Sequence, residues 1–159
     1  MPDLLVTHAL PNPAGKDRRY PMQPSDDQLN AEWVEFANAS GRALALEDVT
    51  MSHYTFNQAC RQTGEDCLTT FSGTLYPGWS IRLHTGSGTP WDEGATRHLF
   101  AGRRNYAWNN ACGDTAVLRG PRRDVLDWAS YDPQPPDGVM LNRVPGTNKL
   151  AAVRPARIA

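Results

Sequence analysis

The sequence has no run of about 20 apolar residues, which is the length that a membrane-spanning helix needs. Its first residues, MPDLLVTHALPNPAGKD, also lack the basic start and the apolar centre of a secretory signal. We therefore expect a soluble chain and favour the cytoplasm, while an extracellular location stays open in case a signal was removed and replaced by Met1. Only three cysteines are present, and this odd number does not decide the compartment.

A strong excess of charge of either sign is also absent. The 17 acidic and 16 basic residues give a net charge of -1, which argues against a protein whose whole surface binds nucleic acid. The charges are nevertheless unevenly placed along the chain. Residues 1–67 carry ten acids and five bases and residues 68–159 carry seven acids and eleven bases, so the two parts have net charges of -5 and +4.

No segment of about ten residues has the apolar period of an amphipathic helix. The 13 glycines and 13 prolines indicate many turns. Short strands fit the pattern better, and the clearest is WSIRLHT over residues 79–85, where Trp79, Ile81 and Leu83 alternate with polar residues. About seven or eight such strands predict an all-β fold, an antiparallel β-sandwich, with a closed barrel as the alternative.

The chain length predicts one domain. Residues 11–29 contain four prolines and no apolar period, so we expect an irregular surface loop there. From residue 132 onward, DPQPPDG and the apolar-poor remainder indicate an extended segment. We therefore divide the chain into a sandwich over residues 1–131 and an extended C-terminal tail over residues 132–159. Such a tail is suited to adding to or wrapping a neighbour's surface in an assembly.

The stretch NAEWVEFAN, residues 30–38, alternates apolar side chains with two carboxylates, Glu32 and Glu35. On a strand, positions three apart face opposite sides, so these carboxylates cannot easily converge on one substrate atom. We interpret both as solvent or turn partners. Trp33 and Phe36 are expected to enter the core region, with Glu35 near the edge beside Asn38.

Four separated motifs occur in order: NAEWVEFAN, RALALEDVTMS, LYPGWSIRLHTGSG and WNNACGDTAVLRGPRRDVLDWASY. Together, over residues 3–131, they resemble the lamin tail domain. The resemblance implies an immunoglobulin-like β-sandwich that acts as an interaction or anchoring unit. Family members follow a coiled-coil rod in nuclear lamins and accompany secreted or surface enzymes in bacteria. Neither neighbour is visible here, so we expect a free-standing module, and the abundance of Ala, Arg, Pro and Trp favours a bacterial or phage source.

The motif WNNACGD calls for no catalytic explanation. Asn109, Asn110 and Gly113 tolerate turn geometry, and Asp114 can accept backbone N–H bonds before the strand TAVL. We assign this segment, including Trp108, a structural role.

Cys60 and Cys67 are separated by six residues around Gly64, a spacing that a loop or hairpin disulfide could close. Zinc is an alternative, with His53, Cys60 and Cys67 as three ligands and Cys112 or His84 as a fourth, although the usual short pair of cysteines is absent. Unlinked cysteines are the third alternative. Cys112 lies beside a turn glycine and is interpreted as a small half-buried thiol.

Six arginines lie between residues 97 and 123, with Tyr106 and Trp108 among them: Arg97, Arg103, Arg104, Arg119, Arg122 and Arg123. They could bind a phosphate backbone or another polyanion, or a protein partner, or they could form an ordinary solvated surface. The sequence contains no glycine-rich phosphate loop, Ser-His-Asp arrangement or metal-hydrolase motif.

These observations predict no catalytic residue, cofactor, metal site, membrane span or small-molecule substrate. We expect a non-catalytic interaction or structural module that mediates protein-protein contacts or self-association. The alternative is a polyanion binder, of DNA or another nucleic acid, that uses the arginines.

Overall fold

The computed structural model describes residues 2–16 and 23–152. Short strands joined by turns dominate these residues, together with one brief helix. In chain order the elements are β1 Leu4–Leu10, α1 Asp26–Asn30, β2 Trp33–Asn38, β3 Leu44–Ala45, β4 Thr50–Phe56, β5 Gln62–Thr70, β6 Thr74–Leu75, β7 Ser80–His84, β8 Trp91–Glu93, β9 Thr96–Phe100, β10 Asp114–Arg119, β11 Val125–Tyr131, β12 Leu141–Arg143 and β13 Leu150–Ala152.

The strands form two large sheets and one small one. The larger has seven strands in the order β13-β12-β1-β2-β7-β9-β8, the second has four in the order β11-β10-β4-β5, and β3 pairs with β6. Neighbouring strands are antiparallel except for β7 and β9, which run parallel. The predicted all-β, immunoglobulin-like sandwich is therefore confirmed.

The core consists of apolar side chains from both large sheets. Val34 and Phe36 on β2 and Met51 on β4 are fully buried in it, and the rings of Phe36 and Phe71 meet edge to face with centroids 5.1 Å apart. The strand period of two places Trp33 on the opposite face of β2 from Val34 and Phe36. Trp33 and Phe36 are both buried, as expected, but Trp33 lies outside the core cluster that contains Phe36.

The first long loop contains more structure than its composition indicates. Residues 17–22 lie outside the described residues, but a short helix follows at Asp26–Asn30. Ser25 caps it, because its side chain accepts from the N–H of Gln28 while the Gln28 side chain accepts from the N–H of Ser25. Leu29, 1% exposed, anchors the helix.

The segment after residue 131 folds back onto the sandwich, which corrects the expected extended tail. β12 pairs with β1, and β13 pairs with β12 at the edge of the seven-stranded sheet. Leu141 and Leu150 are each 2% exposed and belong to the core cluster. The Arg143 side chain adds bonds to the carbonyl of Val6 and to Asp127, each at 2.9 Å. The described part of this segment therefore completes the chain's own sheet, and residues 153–159 lie outside the described residues.

Candidate functional site

Glu32, interpreted above as a solvent or turn partner, is fully buried at the start of β2. Its carboxylate accepts hydrogen bonds from Lys16 Nζ at 2.5 Å, Thr85 Oγ1 at 2.7 Å, and the backbone N–H groups of Ala107 at 2.8 Å and Trp108 at 3.3 Å. Burial raises the pKa of Glu32, and the charge and hydrogen bond of Lys16 oppose that rise. Every donor belongs to the chain itself, so this carboxylate joins loops rather than meeting a substrate.

Glu35 is also buried, 7% exposed, which corrects its expected exposure. It accepts from Arg82 Nη2 at 2.9 Å and Nε at 3.1 Å. The Arg82 guanidinium in turn lies 3.9 Å from the ring centroid of Trp33. Glu35 and Trp33 therefore form a closed structural cluster with Arg82 on the outer face of the seven-stranded sheet.

Asp114 is 2% exposed and gathers several donors at the start of β10. It accepts from the backbone N–H groups of Tyr54 at 3.0 Å, Asn109 at 3.1 Å and Thr115 at 2.8 Å. His53 Nδ1 lies 2.9 Å from the same carboxylate. Asp114 thus ties the loop before β10 to β4.

The other ring nitrogen of His53, Nε2, lies 3.3 Å from Asp66. Since both partners are carboxylates, the geometry suits a doubly protonated ring. Burial lowers the pKa of His53, but the hydrogen bonds and charges of Asp114 and Asp66 outweigh it, and the net result is a raised pKa. Asp66 in turn forms an ion pair with Arg103 at 3.1 Å. His53 therefore connects a buried carboxylate to one at the surface.

The turn residues around these groups have specific structural tasks. Gly113 has φ of 71°, and a Cβ there would lie 2.4 Å from the carbonyl oxygen of Tyr131. The Asn110 side chain donates to Asn12 at 3.0 Å. Asn38, 2% exposed, donates to the carbonyls of Arg42 and Leu75 and accepts from Ser40. These side chains are occupied within the turns and loops that they hold.

The cysteine pairing differs from the predicted one. Cys60 is bonded to Cys112, with their Cα atoms 5.3 Å apart, and Cys67 is free and exposed. The disulfide joins the β4–β5 loop to the loop before β10. The bridge between Cys60 and Cys67 that the sequence left possible does not form, and Cys112 is half-buried as expected but is not a free thiol. The disulfide also removes two thiols from the zinc alternative, and within the described residues no group of side chains suited to a metal ion occurs.

The six arginines considered as a binding surface lie on separate elements. Arg97 is on β9 of the seven-stranded sheet and Arg119 is on β10 of the four-stranded sheet. Arg103 and Arg104 lie in the loop of residues 101–113, and Arg122 and Arg123 in the turn of residues 120–124.

Carboxylates neutralise half of this set. Arg97 pairs with Asp92, Arg103 with Asp66, and Arg119 with Glu65, at distances of 3.1, 3.1 and 2.8 Å. The pKa of Glu65 is lowered, chiefly by its hydrogen bond from Arg119. The other three are exposed, and the described part of the chain supplies no ion pair to them: Arg104, Arg122 and Arg123.

One groove gathers two of these arginines. It has a volume of about 370 Å³ and is lined by His53, Thr55, Asp66, Arg103, Arg104, Asn105, Tyr106 and Ala107. The guanidinium of Arg103 is already engaged, since it pairs with Asp66 and also donates to the carbonyl of Cys67 at 2.7 Å. Arg104 is therefore the more available cation of this groove.

The outer face of the four-stranded sheet carries a surface that the motifs did not indicate. Its central row follows the strand register from Cys67 through Ser52 and Val117 to Trp128. Trp128 is 44% exposed, and Val125 beside it is 49% exposed. The surface depression next to Trp128 has a volume of about 320 Å³. The residues lining it are Tyr54, Thr115, Val117, Arg119, Val125, Trp128 and Ser130. We call these seven residues the Trp128 face.

Val117 is 1% exposed yet lies outside the core cluster, so the side chains of the Trp128 face bury it on the outer side of the sheet. Three polar side chains of this face are already paired: Thr115 Oγ1 and Ser130 Oγ are 2.7 Å apart, and Arg119 pairs with Glu65. The sequence signal was present but weak, since Trp128 alternates with the buried Ala129 and Tyr131 on β11.

The outer face of the seven-stranded sheet has its own exposed tryptophan. Trp91, 50% exposed, stacks on His98 with centroids 4.2 Å apart, and His98 stacks on His84 at 5.1 Å. His84 Nε2 and His98 Nδ1 are 2.8 Å apart. The ring of Trp91 thus covers a histidine pair, whereas Trp128 stands beside a depression.

The two packed sheets and their closed polar clusters define an immunoglobulin-like β-sandwich. Residues 2–133 match the sequence model of the Lamin Tail Domain family. Since this match covers more than half of the chain, the protein belongs to the lamin tail domain family, whose immunoglobulin-like fold is compatible with a non-catalytic interaction module. No curated protein matches the chain. Within the described residues, no helix has the length and apolar character needed to cross a bilayer.

Proposed function

We propose that this domain mediates protein-protein contacts and docks its partner on the Trp128 face. The observation that carries the proposal is the half-exposed indole of Trp128, which stands over the buried Val117 and beside an open depression. Tryptophan is enriched among the residues that dominate binding energy at protein interfaces. A protein partner can cover a large aromatic ring that lies next to a depression on the face of a sheet.

The polar groups of the face favour the same occupant. Thr115 bonds to Ser130, and Arg119 bonds to Glu65 through two nitrogens at 2.8 and 2.9 Å. A partner can therefore cover the face without leaving an uncompensated buried charge, which would be strongly unfavourable. A polyanion gains little here, because the arginine is already neutralised.

The disulfide bears on where the domain acts. Structural disulfides persist in oxidising compartments and are rare in the cytosol. The bond between Cys60 and Cys112 therefore supports maturation outside the reducing cytosol, the second of the two locations considered from the sequence. The test is the thiol count of protein taken from its native source: one reactive thiol, Cys67, is expected, and three would contradict this assignment.

The docking proposal is tested by photocrosslinking with a matched control. A photoreactive phenylalanine analogue replaces Trp128 in one variant and Trp91 in the other, because both tryptophans are about equally exposed on opposite sheets. A protein crosslinked from position 128 is then purified and titrated with the unlabelled chain. We expect Trp128→Ala to weaken that binding by about 30-fold, or roughly 2 kcal/mol, and Trp91→Ala to leave it unchanged. Equal crosslinking from both positions, or normal binding by Trp128→Ala, would overturn the proposal.

A second candidate function, binding of a polyanion, rests on the groove that holds Arg103, Arg104 and Tyr106. An exposed guanidinium beside an aromatic ring suits a phosphate and a stacked base. The measurement is fluorescence anisotropy of single-stranded DNA across a salt series, with Arg122→Ala as the control for Arg104→Ala. Binding that weakens with salt, and weakens selectively in Arg104→Ala, supports this candidate; equal effects of the two variants contradict it.

A further inference from the structure

The Trp128 face is shaped to receive a second copy of itself. Resting on the proposed function, we infer that its partner is another copy of this chain, in a two-fold symmetric pair. In this pair the indole of each Trp128 enters the depression beside the Trp128 of the other copy. The four-stranded sheets then pack face to face, as sheets do in a sandwich.

The first argument is that one face carries both a projection and a recess. Trp128 is 44% exposed, and the adjoining recess of about 320 Å³ is bounded by Val117, Val125 and Tyr54. In a two-fold interface the same patch is used by both subunits, so residue i meets residue j and j meets i. A foreign partner needs only the projection or only the recess. Their proximity on a single face is what a self-complementary interface requires.

The second argument concerns what the incoming indole would meet. The recess offers the apolar side chains of Val117 and Val125 together with the guanidinium of Arg119. An arginine near the face of a tryptophan ring contributes an attractive cation–π contact, which strengthens when water is excluded. Each copy can supply one such contact, so the recess matches the chemistry of the residue that would fill it.

The third argument is the balance of charge. Two identical faces bring like charges together unless each face is neutral by itself. Two ion pairs flank Trp128, Glu65 with Arg119 on one side and Asp132 with Lys149 on the other, at 2.8 and 3.0 Å. The second pair borders a further depression that adjoins Trp128 and Ser130. Each pair cancels within its own copy, so neither pair adds a like-charge repulsion to the symmetric contact.

The exposed thiol of Cys67 lies in the same cross-strand row as Trp128, so the test must exclude accidental crosslinking. The full chain with Cys67→Ser is studied by sedimentation equilibrium over a range of concentrations. We expect a monomer–dimer equilibrium that Trp128→Ala shifts toward monomer by at least about 30-fold in Kd, as for loss of an interface hot spot. Trp91→Ala serves as the matched control and should dimerise normally. Circular dichroism and thermal unfolding establish that each variant is folded.

The outcomes separate the dimer from the broader docking proposal. A monomer at every concentration, or a dimer equally strong in Trp128→Ala and Trp91→Ala, overturns the symmetric pair. If the chain is monomeric while a different protein binds purified domain and loses affinity in Trp128→Ala, the docking face survives and the second copy is ruled out. If the Trp128→Ala variant also binds that protein normally, both proposals fall.

Discussion

The ammonium of Lys16 lies 2.5 Å from a carboxylate oxygen of Glu32 in the interior of the domain, where the two side chains are 7% and 0% exposed. Lys16 also donates to the carbonyls of Pro11 and Trp108. The pair therefore joins the loop after β1, the residue that precedes β2 and the loop before β10. This buried ion pair therefore connects segments that are not paired with one another as strands.

We expect removal of one partner to be costly. Lys16→Met leaves Glu32 as a buried charge without its cation, and such a loss costs about 3–5 kcal/mol of unfolding free energy. Urea denaturation measures it. The exposed pair of Arg42 and Asp3, with side chains 69% and 47% exposed, is the control. Its disruption by Arg42→Met should cost less than about 1 kcal/mol. Equal costs at the two sites would show that Glu32 is solvated.

The disulfide should contribute substantially to stability. Cys60 and Cys112 are 52 residues apart, and closing a loop of that length is worth about 4 kcal/mol in the chain-entropy account. The double variant Cys60→Ser/Cys112→Ser should lose roughly that amount in urea denaturation. Cys67→Ser is the control and should be nearly neutral, because its thiol is exposed. Loss of stability on Cys67→Ser instead would favour a different pairing.

The fold could be predicted from the sequence in those strands where every second side chain is apolar and packs in the core. In WVEF, Val34 and Phe36 on the core face alternate with Trp33 and Glu35 on the outer face, and WSIRLHT shows the same pattern with Ile81 and Leu83. Such alternation is set by local sequence, since a strand has a side-chain period of two. The family motifs then indicated the immunoglobulin-like sandwich, whereas the order of the strands came from the structure.

The tertiary partners could not be predicted in this way. Whether Glu32 is buried depends on backbone N–H groups 75 and 76 residues further along the chain. The disulfide likewise depends on two loops that meet only in the folded sheet. β12 and β13 are three residues long, and each contributes one buried leucine. Such short strands show no recognisable alternation of apolar and polar residues. Trp128 was overlooked because an isolated aromatic residue on a strand does not reveal which face is covered.

His53 should make stability depend on pH. Its pKa in the folded state lies above the ordinary value of 6.5, since Asp114 and Asp66 outweigh burial. The stabilisation is therefore complete below pH 6.5 and is lost as the pH rises through the folded pKa. We expect the unfolding free energy of the native chain to fall across that window more steeply than that of His53→Gln.

Urea denaturation at a series of pH values compares the two chains. Asp66, whose pKa is lowered by Arg103 and His53 against the effect of burial, contributes in the opposite sense and only at acidic pH. The difference between the chains above pH 6 therefore isolates the histidine, to within about the precision of the extrapolation. Parallel curves would mean that His53 is neutral between its two carboxylates.

The last predictions concern the stability that β12 and β13 contribute. This contribution distinguishes a domain that ends near residue 131 from one that includes β13. Leu150→Ala should cost about 2–5 kcal/mol, as for other leucines removed from a core. Leu150 is 2% exposed, whereas Val144 in the turn between the same two strands is 37% exposed. Val144→Ala is therefore the matched control and should cost less than about 0.5 kcal/mol.

A chain cut after Tyr131 loses Leu141 and Leu150 together and exposes β1, so we expect it to be largely unfolded by circular dichroism. A cut chain as stable as the full one would show that β12 and β13 are only loosely attached, and the domain would then end at the boundary expected from the sequence.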